Sequence, residues 1–254
     1  MNIFGVELVS WLAALCLAGL MAIAWSFGWR LGQSRADRGH TSGVNLADAI
    51  MALFGLLLGF TVSMSLAKHD QRRAMMVNDA NCIGDFSSTA AMLKPVHQTK
   101  ILPVVRGYVQ LLLTPLNASN DVAEVKKRLD DIQGIHSQIL ALVREAVQDG
   151  NAITVPLITT YNSFTSSHVS RLASLRDRLP GSILLLLTLA AIVTMVLQGQ
   201  RMGETNTREY LPSLGMIVLI SLVVWVILDL NEPSRGLITV SREPLERLLT
   251  GLSK

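Results

Sequence analysis

Residues 50–66, IMALFGLLLGFTVSMSL, form an uncharged apolar run that stops abruptly at Lys68-His69-Asp70-Gln71-Arg72-Arg73. About 20 apolar residues in a helix match a bilayer core of roughly 30 Å. Three more blocks repeat the pattern, at about Ile3–Gly28, Ser182–Leu197 and Leu211–Leu230, with this second block opening near Leu46 and closing at Ala67. Backbone polar groups cannot go unpaired in lipid, so each block is expected to be a helix. Half of the 254 residues are hydrophobic and only 16% are charged, against about 25% in ordinary soluble domains. The first block lacks a basic start in residues 1–7 and is too long for a cleaved signal, so it is expected to stay as a span.

These blocks divide the chain into spans 1 and 2 (residues 1–67), a polar region (68–181), spans 3 and 4 (182–230) and a polar tail (231–254). The expected fold class is an all-α membrane protein. Four transmembrane helices would carry a helical soluble bundle inserted between the second and third. In the polar region, Val122, Val125, Leu129, Ile132, His136, Ile139, Val143 and Val147 recur at helical spacing. Asp121 with Glu124 resembles a capping box, and Gly150 is a natural stop. A second stripe runs through Leu157, Tyr161, Phe164, His168, Leu172, Leu175 and Leu179 before Pro180-Gly181 breaks it. Residues 70–93 and 96–114 read as two further helices, separated near Pro95.

Within the second span, Gly55, Gly59 and Ser63 make a small-xxx-small face suited to close helix approach. Ala52, Leu56 and Phe60 lie on a neighbouring face at four-residue steps. In a bundle that row is ordinary core. In an oligomer with a shared axis it would be a ring of apolar side chains, which can gate a pore by dewetting. Lys68, Arg72 and Arg73 serve either as an interfacial flank or, multiplied around an axis, as a cationic ring that concentrates anions, with Asp70 offsetting part of the charge. Three carboxylates, Glu7, Asp48 and Asp229, sit close enough to span ends to cap or snorkel.

Several function classes find no support. The five histidines are scattered without ligand spacing, and Cys16 and Cys82 fall in different compartments, so neither a metal site nor a disulfide is expected. No cofactor is implied. No hydrolase, P-loop or dinucleotide motif is present, and an enzyme ranks last. The net charge of +3 lacks the basic runs with interleaved aromatics of a nucleic-acid binder. Charge leaves the orientation open. Five arginines in the short connectors (30, 35, 38, 201 and 208) compete with eight basic residues flanking the polar region and tail.

The segment LLLGFTVSMSLAKHDQRR (56–73), followed by NDANCIG (78–84), resembles the signature of the bacterial bestrophin-like family, which is distantly similar to bestrophin anion channels. The tail segment LDLNEPSRGLITVSREPL (228–245) resembles that family's carboxy-terminal motif. The resemblance implies a pentamer whose second span lines the pore, with the helical region and both termini in the cytosol beneath the inner membrane. Carried over to this chain, it places neck residues at Phe60, Leu56 and the small Ala52, and a basic residue at Lys68. It implies no calcium gating, because Asn231-Glu232-Pro233 is followed by no acidic run. The expected partners are the lipid bilayer, further copies of the chain and small inorganic ions, anions ahead of cations. The competing expectation is a non-conducting sensor or scaffold.

Overall fold

The computed structural model describes residues 4–36, 44–114, 122–205, 210–232 and 238–252, and every element among them is helical. The helices are α1 (Phe4–Ala36), α2 (Val44–Ala90), α3 (Pro95–Leu113), α4 (Val122–Gln148), α5 (Thr154–Arg176), α6 (Gly181–Thr205), α7 (Tyr210–Asn231) and α8 (Glu243–Gly251). Four of them carry stretches long and apolar enough to cross a membrane: α1, α2, α6 and α7. The described residues fall into two compact units. A span unit holds residues 4–69 and 178–239, and a bundle unit holds Asp70–Asp177 and residues 240–252.

The sequence reading bounds the second span at Ala67 and a further helix at residues 70–93, with the helices of the soluble region expected to continue the second and third spans and fold back. The second span and the helix after it are a single unbroken helix, α2. No glycine or proline lies between Ala67 and Gln71 to stop it. At 1.5 Å per residue its 47 residues run about 70 Å.

In the span unit, α1 packs on α6 and α7. The seam between α1 and α6 is made by Gly28 and Gly32 facing Gly199 and Gly203. A Cβ added at any of the four would run into the opposing backbone: at Gly28 the Val196 carbonyl, at Gly199 the Trp25 carbonyl. Lipid tails are as apolar as leucine, so close van der Waals fit is what holds such helices together. Met21, Ala191, Met195 and Ile227 are fully buried behind this seam, and Trp11 stacks on Trp225 with ring centroids 4.5 Å apart.

In the bundle unit, α3 packs against α4 and α8, and α4 against α5. Ile83 and Phe86 of α2, Ile101 and Tyr108 of α3, Ile139 of α4 and Phe164 of α5 are completely enclosed. Ile132, His136, Ile139, Val143 and Val147 of the stripe expected on α4, and Leu157, Tyr161 and Phe164 of that expected on α5, face this core, whereas Val125 is exposed and Leu179 packs in the span unit. α4 ends where Gly150 adopts a left-handed φ of 69°, a conformation open to glycine. The capping residue Asp121 lies outside the described residues. Basic side chains hold helix C-termini: Arg128 donates to the carbonyls of Leu111 (2.7 Å) and Thr114 (2.9 Å), and Arg242 to that of Leu113 (3.2 Å). Within the stretch read as a polar tail, α8 turns Leu245 into the core, with Leu248, Leu249 and Leu252 packed beside it.

Candidate functional site

α2 has two unlike sides. Within the span unit it turns Phe54, Thr61 and Ser65 inward. Thr61 satisfies its hydroxyl on the Leu57 carbonyl (2.8 Å), and Ser65 reaches the Ile227 carbonyl of α7 (3.4 Å). The opposite side is bare. Leu56 is 54% exposed and Phe60 63%, and Ala52 is exposed with them. Gly55, Gly59 and Ser63 are exposed as well, and a Cβ added at either glycine would meet nothing within 4 Å. The second small-residue face therefore packs on nothing described in this protomer. Of the four spans, α2 is the least covered, with 17% of its apolar window buried against 28% for each of the others.

The basic collar does not act as one group. Arg72 is 3% exposed, and it donates to the carbonyls of Ser174 (3.3 Å) and Asp177 (2.8 Å) at the end of α5. It holds the C-terminal carbonyls of that helix, where a cation is favoured. Lys68 is half-buried. Arg73 is exposed and lines a shallow groove with Asp70, Asn78 and Asn81.

The membrane-end carboxylates have structural partners. Asp48 is paired in fork geometry with Arg201 of α6, the longer of the two contacts being 3.3 Å. Asp229, buried near the end of α7, accepts the Ile238 backbone N–H (3.0 Å). Asn231 accepts the Leu179 N–H (2.7 Å) at the entry to α6, and Glu232 pairs with Arg178 (3.1 Å). Residues 229–232 thus tie the chain's return from α7 to the start of α6. The side chain of Glu7 lies outside the described residues.

A buried polar network occupies the bundle unit. Arg171 Nε lies 2.6 Å from Asp79 Oδ2, and the Ser167 hydroxyl donates to Asp79 Oδ1 (2.8 Å). The Tyr108 hydroxyl is 2.7 Å from His168 Nδ1, and Arg171 Nη2 approaches the same nitrogen at 3.4 Å. Arginine only donates, so His168 Nδ1 is assigned as an acceptor and the neutral ring carries its proton on Nε2. His136 stacks on Phe164 with centroids 4.8 Å apart and lies 4.9 Å from His168. Neither ring nitrogen of His136 has a hydrogen-bond partner among the described residues.

Burial governs the protonation of these groups. It pushes the His168 pKa down to about 4, with Arg171 and then His136 adding to the effect, and it lowers His136 by itself. Burial also raises Tyr108, helped by the negative Asp79. It pushes the Asp79 carboxyl up, opposed by the Arg171 charge and the Ser167 hydroxyl. Asp79 Oδ2 stands at ion-pair distance from the Arg171 guanidinium, which keeps its charge.

Sequence reasoning missed this network. Asp79, Tyr108, His136, His168 and Arg171 each lie on the buried face of their own helix, and no local spacing links them. It also missed the α1–α6 seam, although Gly28-xxx-Gly32 and Gly199-xxx-Gly203 carry the same signal as Gly55 and Gly59. Among the described residues no three His, Cys, Asp or Glu side chains cluster as metal ligands, and Cys16 and Cys82 are both free thiols.

Four long apolar helices joined to a helical unit define a multi-pass, all-helical membrane protein. A family model, the bestrophin-like domain, matches residues 13–245, and the chain belongs to that family. No curated protein and no solved structure matches it.

Proposed function

We propose that the chain assembles into a homo-oligomer, a pentamer by analogy with bestrophins, in which α2 lines a path for small inorganic ions. The observation that carries this reading is the bare side of α2. A fully apolar row, Ala52, Leu56 and Phe60, faces away from the protomer beside two glycines that meet nothing. Large exposed apolar surface on a membrane helix is ordinary toward lipid. The exposed Gly55, Gly59 and Ser63 alongside it favour contact with a second copy, since they let backbones approach. Ala52, Leu56 and Phe60 would then form the constriction.

Anions remain the proposed cargo. Of the collar residues Arg73 is the exposed one, whereas Arg72 is committed to the end of α5 and Lys68 is half-buried. The bundle unit would be soluble and cytoplasmic, beneath an inner membrane. The test is purified protein in liposomes loaded with chloride. Wild type should release chloride, Phe60→Ala should release it faster, and Arg73→Glu should lower the chloride-to-sodium preference. Absence of flux from both wild type and Phe60→Ala would overturn the channel reading in favour of a non-conducting sensor or scaffold, for which the buried bundle network would be the working part.

A further inference from the structure

We propose that Tyr108, His136 and His168 form an acid-sensitive latch, in which proton uptake at His168 removes the acceptor that Tyr108 and Arg171 share and loosens α3 and α4 from α5. The proposal concerns the bundle unit alone and stands whether or not the chain conducts ions.

The geometry sets the direction of the response. His168 Nδ1 accepts from Tyr108 of α3 while Arg171 approaches the same atom. Protonating that nitrogen turns the acceptor into a donor: the Tyr108 hydroxyl must turn round to accept, and Arg171, which can only donate, is left facing an N–H. It also places a second cation against the Arg171 guanidinium. The one nearby anion, Asp79 of α2, already has its oxygens engaged by Arg171 and Ser167. From α4, His136 faces the same ring, has no hydrogen-bond partner to share a new proton with, and would add a third positive charge. α8 presents Leu245, Leu248 and Leu249 to this core and leaves Glu246 and Arg247 exposed. Among the described residues no carboxylate other than Asp79 is in the network to compensate.

The sign follows from proton linkage. An unfolded histidine takes up its proton near pH 6.5, whereas His168 in the fold does so only near 4. Between those values the open state binds more protons, so the closed state is favoured above about pH 6.5 and is progressively lost as pH falls toward 4. For one such histidine the closed-to-open ratio drops roughly thirtyfold between pH 7.5 and 5. The surface pairs that also join α3 to α4, Lys94–Asp149 and Lys100–Glu145, do not share this response. Hydrogen bonds from the lysines hold both carboxyls below their ordinary values, so these pairs persist at pH 5.

The test is amide hydrogen exchange on the full-length protein in nanodiscs, read peptide by peptide and corrected for the intrinsic effect of pH. Wild-type peptides from α3 and α4 should lose protection by roughly thirtyfold from pH 7.5 to 5, while those from α1, α6 and α7 hold theirs. His168→Asn, whose side-chain oxygen can still accept from Tyr108, should keep the neutral-pH protection and flatten the acid response. Tyr108→Phe removes a donor that holds His168 neutral in the fold, which brings its folded pKa nearer the unfolded value, so the acid response should be smaller than in wild type. Unchanged protection in wild type would overturn the latch, as would a His168→Asn protein that still loosens in acid. Should His168→Asn fail to fold, a Tyr108→Phe acid response as large as that of wild type would overturn it as well.

Discussion

The span unit contains two glycine pairs of identical spacing and opposite fate. Gly28/Gly32 on α1 meet Gly199/Gly203 on α6 backbone to backbone, whereas Gly55/Gly59 on α2 face open space. A small-xxx-small pattern thus marks a surface fit for close approach without naming what approaches it. For the first pair the partner is another span of the same chain. For the second it is lipid or a second copy, and the proposed oligomer is the reading that gives those glycines a use.

Substitution separates the two pairs most sharply. Gly199→Leu puts side-chain atoms where Trp25 backbone stands, and backbone cannot step aside as a side chain can. A cost above about 3 kcal/mol is expected, seen as loss of the monodisperse peak in detergent. Gly59→Leu should leave protomer stability unchanged while shifting the assembly toward lower mass in size-exclusion chromatography with light scattering. Equal damage from both would erase the distinction.

The same contrast appears on α2 between residues of one type. Phe54 is 4% exposed and Phe60 63%. Phe54→Ala should cost about 3 kcal/mol, the lower end for a core phenylalanine, and Phe60→Ala within about 0.5 kcal/mol of zero for the isolated protomer. Thermal unfolding in detergent would check both. Arg72 and Arg73 are adjacent yet differ likewise. Arg72→Ala leaves the Ser174 and Asp177 carbonyls without their donor and should cost about 1–2 kcal/mol. Arg73→Ala should be silent in stability and visible only in ion preference. The smallest effect is expected at the half-exposed Asp48–Arg201 pair, where Asp48→Asn should cost no more than about 1 kcal/mol, less at high salt.

Much of the helical inventory was legible because it rests on local signals. Apolar block length marked the four spans. The steps of three and four from Ile132 to Val143 marked α4, and Pro180-Gly181 marked the break after α5. α8 was legible in principle, since Leu245, Leu248, Leu249 and Leu252 recur at helical spacing, but its nine residues sit in a charged stretch that reads as tail. The collar was misleading for a simple reason. Lys68, Arg72 and Arg73 are neighbours in sequence, but successive residues turn by 100° around a helix, so Arg72 points into the protein and Arg73 out of it.

Sequence alone determined that this chain is helical, that four segments suit a bilayer and that it carries the marks of the bestrophin-like family, because chain hydropathy, period and breakers act over one helix at a time. Tertiary structure alone decided which glycines meet, which side of α2 stays bare, and that Asp79, Tyr108, His136, His168 and Arg171 share one buried site. Those residues come from four helices up to 92 positions apart. Their proximity depends on how whole helical faces pack, which no short stretch of sequence encodes.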